Sequence, residues 1–431
     1  MPRAILQPLQ SFLATEAAGG ILLLGATLIA LGWANSPWSG AYERLWDTRL
    51  SLGFGRWGLS HDLRHWVNDG LMTFLFMVVG LEIKREFLTG ELRDRRAAIV
   101  PVLAAVGGMI VPAFLFLAIA SGGQGARGWG VPMATDIAFA LGVLTLVGRS
   151  APPGLKPFLL TLAIADDIGS VLVIAIFTSG GLSPGPLLIA VLAVAAIVVL
   201  ERIHVRAPLA YVVLGAVVWA ATAESGVHPT IAGLVLGLLT PAVAFQRPAT
   251  VSEEAHRIAD ETVDEPNPPD VDAPYWLYLA GLSREAVSPL ARLEAFLHPW
   301  VSFVILPLFA LANAGVDLSA EALRGVATSP VALGIVVGRV IGKPLGITLV
   351  AALVVRSGLG RLPEGVGWRH VLGVGALAGI GFAVSLLMAE LAFADAELVE
   401  AAKVGVLAAG LVAGVVGVTV LGRRGRRPPE G

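Results

Sequence analysis

Apolar residues come along this chain in long runs separated by short polar joints. A run of ~20 apolar residues rising 1.5 Å each covers ~30 Å, the thickness of a bilayer's hydrocarbon core. The pattern predicts helices over residues 12–34, 67–88, 97–120, 131–148, 157–178, 185–201, 208–222, 230–246, 297–316, 329–355, 371–393 and 400–421. The fold expected is an all-α integral membrane protein of about 12 transmembrane helices, several of them short or interrupted by Gly and Pro. Two joints differ from the rest. Residues 46–59 alternate loosely between apolar and polar, with Gly53, Gly55 and Gly58, which fits either a small outer β-hairpin or an irregular loop. Residues 247–274 gather Ser252-Glu253-Glu254, Asp260-Glu261 and Asp264-Glu265 ahead of Pro266, Pro268 and Pro269, the composition of a flexible acidic connection. Ala17 to Ala34 is long for the apolar part of a cleaved signal and has only Arg3 ahead of it, so it is read as the first span.

Composition agrees and sets an orientation. Of 431 residues, 56% are hydrophobic and 14% charged, whereas a soluble domain carries about 25% charges. The absence of cysteine excludes a disulfide framework, a Cys-based zinc site and a thiol nucleophile. A net charge of −2 argues against nucleic acid as a partner. Of the lysines and arginines, 21 fall in one alternating set of joints and termini and 6 in the other. The positive-inside rule then places both termini in the cytoplasm. The chain reads as a single polytopic domain over 1–428, with 422–431 as a basic cytoplasmic tail.

Several ionisable residues fall inside the apolar runs. Asp166-Asp167 stands in the middle of Leu155–Phe177. A carboxylate at the centre of a membrane helix costs ~2.5–3.5 kcal/mol, and two cost roughly double. The pair is therefore expected to face a water-accessible cavity and act there; a place at the interface is the alternative. Adjacent side chains on a helix point about 100° apart, so one carboxylate can face the cavity while the other turns to a neighbouring helix. Hard cations take oxygen ligands. A carboxylate that holds either a proton or a cation, never both, is the minimal exchange device.

Thr135-Asp136 is a second buried acid, beside a hydroxyl and four residues after Pro132. Proline removes a helix hydrogen bond and predicts a break there, or else a kink with Asp136 near the interface. Lys343, between Gly342 and Pro344, needs a buried anion, for which Asp166 and Asp167 are the candidates. Arg339 can snorkel if it lies near a span end, and Lys343 lies deeper by its place in the run. Gly375, Gly379 and Gly381 permit close packing or an unwound segment. Glu82, Lys84, Arg85 and Glu86 close the second span, as a regulatory group or simply a solvated helix end. His228 and His298 open two later spans and fit anchoring residues, and Glu390 is an intramembrane acid with no evident role.

With these residues on the page, the chain resembles the NhaA family of sodium/proton antiporters over about residues 15–420. The matching segments are FMVVGLEIKREFLTGEL, VPMATDIAFALGVL, LAIADDIGS, GVHPTIAG, LEAFLHPW, LPLFALANAGV, IGKPLGI and GIGFAVSLLMAELAF. The resemblance implies inverted three-helix repeats and two interrupted helices crossing near the midplane. That family is itself a known case of the inverted-repeat rule, so the broken-helix pattern is no independent support. The resemblance further implies that Asp136 offsets the positive helix ends at the crossing and Lys343 the negative ones. Asp166 and Asp167 are then the cation and proton site, with Thr135 beside them and Lys343 paired to Asp166. Glu82, Arg85, Glu86, His228 and Glu294 match positions linked to activation by rising pH. The 46–59 element matches the family's dimer contact, which implies a homodimer.

The function expected is electrogenic, pH-activated export of cytoplasmic Na⁺ or Li⁺ in exchange for external protons, serving sodium and pH homeostasis. The chain would be a secondary active transporter of a bacterial inner membrane, not an enzyme, with no cofactor beyond its transported ions. A passive cation channel and a sodium-coupled organic anion symporter of related fold are the alternatives. An intramembrane aspartyl protease fits less well, because its two carboxyls come from different helices.

Overall fold

The computed structural model describes residues 16–54, 57–147, 151–177, 181–203, 205, 207–262 and 273–422. The basic tail expected at 422–431 lies outside these residues beyond Gly422. Among the described residues each of the twelve apolar stretches contains helix, although 131–148 is helical only from Ile137, 230–246 only to Leu239, and 371–393 is interrupted at 379–382.

The chain opens with α1 (Glu16–Ala34), which bends through 117° into α2 (Ser39–Trp46). An antiparallel hairpin follows, β1 (Arg49–Phe54) and β2 (Trp57–Asp62), with Arg49 opposite Asp62. The strands thus occupy 49–62 rather than the expected 46–59. Trp46 belongs to α2 instead, because it and Tyr42 are buried on the core side of that helix. Tyr42 also donates to the Leu311 carbonyl at 2.7 Å.

Next come α3 (Leu63–Leu88) and α4 (Arg95–Ile119). After the interruption at 131–136 come α5 (Ile137–Val147) and α6 (Leu155–Phe177). The following three are α7 (Pro184–Arg202), α8 (Pro208–Glu224) and α9 (Thr230–Leu239).

The acidic stretch 247–274, expected as a flexible connection, is instead helical at its start. It forms α10 (Pro248–Thr262), and α11 (Ala273–Glu285) follows; 263–272 lie outside the described residues. Composition hid a local pattern. Val251, Ala255 and Ile258 share one face of α10, Ile258 is fully buried, and Arg257 pairs with Glu254 three residues before it.

The last part comprises α12 (Pro289–Asn313), α13 (Ala320–Thr328), α14 (Pro330–Arg356), α15 (Trp368–Ala378), α16 (Ala383–Ala392) and α17 (Ala396–Gly422). α15 and α16 form one span bent by 52°.

Among the described residues, seven helices are long and apolar enough to cross a bilayer, or up to nine if each bent pair is one span; α8 and α9 are shorter apolar helices. Large apolar side chains such as Ile110, Phe114, Leu172, Leu209 and Leu411 face outwards. In a soluble protein that would leave large exposed apolar patches. The chain is an all-α, multi-pass membrane protein.

Two packings place the site. α4 and α14 approach so closely that a Cβ on Gly107 or Gly346 would collide with the backbone of the other helix. Small residues permit such contacts in membranes, where dispersion replaces the hydrophobic drive. α14 also carries a π-helical turn at Gly338–Gly342, in which Lys343 N–H reaches back to Gly338 O. Pro344 has no N–H for the next ladder bond, so the helix widens just before Lys343.

Candidate functional site

Two interruptions meet in the interior. The first is 131–136, ahead of α5; the second is 379–382, between α15 and α16. They are tied by Asp136 N–H to Ile380 O at 2.8 Å and by Thr135 Oγ1 to Ala378 O at 2.9 Å. Gly381 is required here, because a Cβ on it would strike Ala134 O and the Arg339 guanidinium.

An interrupted helix exposes N–H groups at one new end and carbonyls at the other, with partial positive and negative charge. Asp136 answers the positive ends of both helices. Its Oδ1 accepts from Phe139 N–H at 3.2 Å in the first turn of α5, and its Oδ2 lies 3.5 Å from Ala383 N at the start of α16. One carboxylate caps two helices.

Carbonyls inside both interruptions are answered by Arg339, on α14. It does not snorkel, being 0% exposed. Its Nη1 donates to Gly381 O at 2.6 Å, and its Nη2 to Val131 O and Ala134 O, each at 3.1 Å, and to Ser385 Oγ. Lys343 reaches a carbonyl end only through Thr135. Its Nζ donates to Thr135 Oγ1, and to Asp166 Oδ2 at 2.6 Å. Lys343 and Asp166 are 0% and 1% exposed, so the pair is sealed from both faces in this conformation.

Asp167 turns away from Lys343, as the angle between adjacent helical residues requires. Its Oδ1, Asp166 Oδ1 and Ser170 Oγ are buried without a protein hydrogen-bond partner. A buried polar atom without a partner costs ~1–3 kcal/mol, and such atoms are rare in native structures. Three within five residues of α6 form a set of oxygen donors suited to a proton or a small hard cation. Ser170 is the one of the three that sequence reasoning did not single out. It sits three residues after Asp167 and four after Asp166, a helical spacing that could have found it.

The residues matched to pH response divide between two places. Arg85 pairs with Glu294 and, at 3.4 Å, with Glu86 at one end of α3. Glu82 lies within electrostatic reach of Arg85, Glu86 and Glu294. Lys84 donates to Thr240 O at 2.7 Å, capping the carbonyl end of α9. His228 is elsewhere, by the hairpin end of α3. Its Nδ1 meets Thr230 Oγ1 at 2.7 Å and its Nε2 lies 3.6 Å from Asp69, which His65 also approaches at 3.3 Å. The sixteen residues from Asp69 to Arg85 span ~24 Å of helix. Burial pushes the His228 imidazole down to about 4, and His65 acts in the same direction. Glu390, unassigned from sequence, pairs with Lys403 of α17 at 2.5 Å.

The Na⁺/H⁺ antiporter 1 family model matches residues 10–421. "Na(+)/H(+) antiporter NhaA 2" of Sorangium cellulosum is 47% identical, over 100% of this chain and 92% of its own length. "Na(+)/H(+) antiporter NhaA 3" of Frankia alni is 47% identical over 97% and 89%. "Na(+)/H(+) antiporter NhaA 2" of Pseudomonas putida is 46% identical over 95% and 92%.

Proposed function

Because this chain belongs to the NhaA family of Na⁺/H⁺ antiporters, we propose that Asp166 and Asp167 carry its exchange of sodium for protons. The observation that carries this assignment is the set of unpartnered buried oxygens on Asp166, Asp167 and Ser170 beside the Lys343 ion pair. A buried carboxylate must be neutralised by something. Asp166 has Lys343; Asp167 has no cation in contact and takes a proton or a Na⁺.

The cycle is alternating access. Protons load on the aspartates from outside, and the protein reopens inward and releases them where proton activity is lower. A cytoplasmic Na⁺ or Li⁺ binds Asp167, with Asp166 assisting and Lys343 yielding its hold on Asp166. Thr135 contributes by holding Lys343 and the second helix break rather than by offering a free hydroxyl, since it already donates to Ala378 and accepts from Lys343. The return stroke exports the cation. The sealed Lys343–Asp166 pair favours this carrier cycle over a passive channel, which needs a continuous wet path.

Twelve crossings, inverted repeats and cytoplasmic termini in a bacterial inner membrane are part of the same proposal, as is a homodimer held through the hairpin. Its activation by rising pH rests on the Glu82, Arg85, Glu86 and Glu294 group, whose mutual attractions and repulsions depend on protonation.

The test is Na⁺- and Li⁺-dependent pH change in everted vesicles. Wild type exchanges and D167N does not; exchange by D167N at the wild-type rate would remove Asp167 from the site.

A further inference from the structure

We infer that Arg339 is a positioning residue for exchange: it joins the two helix interruptions into one unit and supplies a fixed positive charge there, leaving Lys343 free to trade partners. This rests on the exchange reading above and extends it.

The observation is the sharing of labour between two buried cations one helical turn apart on α14. Arg339 donates to three backbone carbonyls and a hydroxyl. Val131 and Ala134 belong to the first interruption, Gly381 to the second, and Ser385 to the first turn of α16. These carbonyls lie within or at the edge of the interruptions, outside the helices on either side. A planar guanidinium with five N–H donors can serve several carbonyls at once; an ammonium is a point charge with three. Lys343 contacts no backbone carbonyl among its hydrogen bonds, only Asp166 and Thr135.

The consequence follows from what each contact can do during transport. Backbone carbonyls do not titrate and bind no transported ion here, so the Arg339 contacts can persist through the cycle. The Lys343–Asp166 contact must loosen whenever a cation takes the carboxylate. Were Lys343 also the clamp of the breaks, each loosening would disturb Thr135 and Asp136. With Arg339 as clamp, those residues keep their places.

Arg339 also acts through its charge. The charged groups around it are Asp136, Asp166 and Lys343. A permanent cation at this place repels an arriving Na⁺. Its removal has two opposite effects: looser geometry slows exchange, and weaker repulsion tightens Na⁺ binding.

The experiment measures Na⁺-dependent exchange in everted vesicles on the alkaline plateau, where protons do not compete. It compares wild type, R339K, R339Q and R339L. The expected result is a maximal rate lowered about 5-fold or more in R339Q and R339L with an apparent KM for Na⁺ lowered about 3-fold, ~0.7 kcal/mol by the tenfold-per-1.4 kcal/mol rule. R339K, which keeps the charge but not the fork, is slower than wild type with an unchanged KM. Wild-type rates in R339Q and R339L would overturn the inference. So would loss of rate in all three variants with KM unchanged or raised, the mark of a merely structural role. If R339Q and R339L do not reach the membrane folded, S385A and S385T decide: S385A, which removes one acceptor, is expected to be slower and S385T, which restores the hydroxyl, to recover the wild-type rate; an unaltered rate in S385A, or no recovery in S385T, overturns the inference. Absence of exchange in wild type itself would instead defeat the exchange reading.

Discussion

Ser170 and Asp167 lie one turn apart on α6, each with a buried oxygen lacking a protein partner. If both face the transported ion, removing the hydroxyl deletes one oxygen ligand. S170A is expected to raise the apparent KM for Na⁺ about 5-fold, the worth of ~1 kcal/mol, in vesicle exchange; an unchanged KM would take Ser170 out of the site. His228 offers a separate test of protonation. Its imidazole sits near 4 in the folded protein because it is buried, against about 6.5 in an unfolded chain. Between those values the unfolded state binds more protons, so stability is lost as pH falls through that window. The thermal midpoint of detergent-purified wild type should drop between pH 6.5 and 4.5, and H228Q should drop less. Equal slopes would show that His228 is not the group responsible.

At the scale of elements, the two interruptions hold the molecule's chemistry. Asp136 caps α5 and α16 together, and Gly381 lets Ala134 and Arg339 come within contact of the second break. G381A is expected to cost about 1–3 kcal/mol through overpacking, read as a lower thermal midpoint, and to slow exchange as Arg339 is displaced. A variant as stable and active as wild type would mean that the crossing has slack. Part of this was legible beforehand. Pro132 predicted a break or a kink and the glycines an unwound or closely packed segment; the break falls at Gly379 and Gly381, while Gly375 lies within α15 against Pro344. The acidic stretch was misread because composition was weighed above the Val251, Ala255 and Ile258 spacing. The depth of Arg339 stayed open because position along a run does not tell how deep a side chain lies, and its acceptors are some 40 and 200 residues away.

For the whole molecule, unequal charge movement is the sharpest expectation. If more than one proton enters per cation, every cycle moves net charge, worth ~2.3 kcal/mol per 100 mV. In respiring everted vesicles, whose lumen is positive, collapsing the membrane potential with K⁺ and valinomycin should then slow Na⁺-dependent exchange, whereas one-for-one exchange would not respond. Two buried cations, Arg339 and Lys343, stand on α14 and reach the 131–136 segment, so motion of α14 against that segment must carry Val131, Ala134 and Thr135 along or break three bonds.

The sequence alone determined the solvent, most of the helices and the presence of a buried acid pair. Those follow from local quantities: the length of an apolar run, the cost of a carboxylate inside it, and the backbone limits of Pro and Gly. Only the tertiary structure decided which cation serves which acceptor. It gave carbonyls inside both interruptions to Arg339 and Asp166 to Lys343, left Asp167 and Ser170 with unpartnered oxygens, and set His228 at the far end of α3 from Arg85. Those assignments depend on contacts between segments far apart in the chain, set by how closely small residues let helices approach, and no periodicity within one segment encodes them.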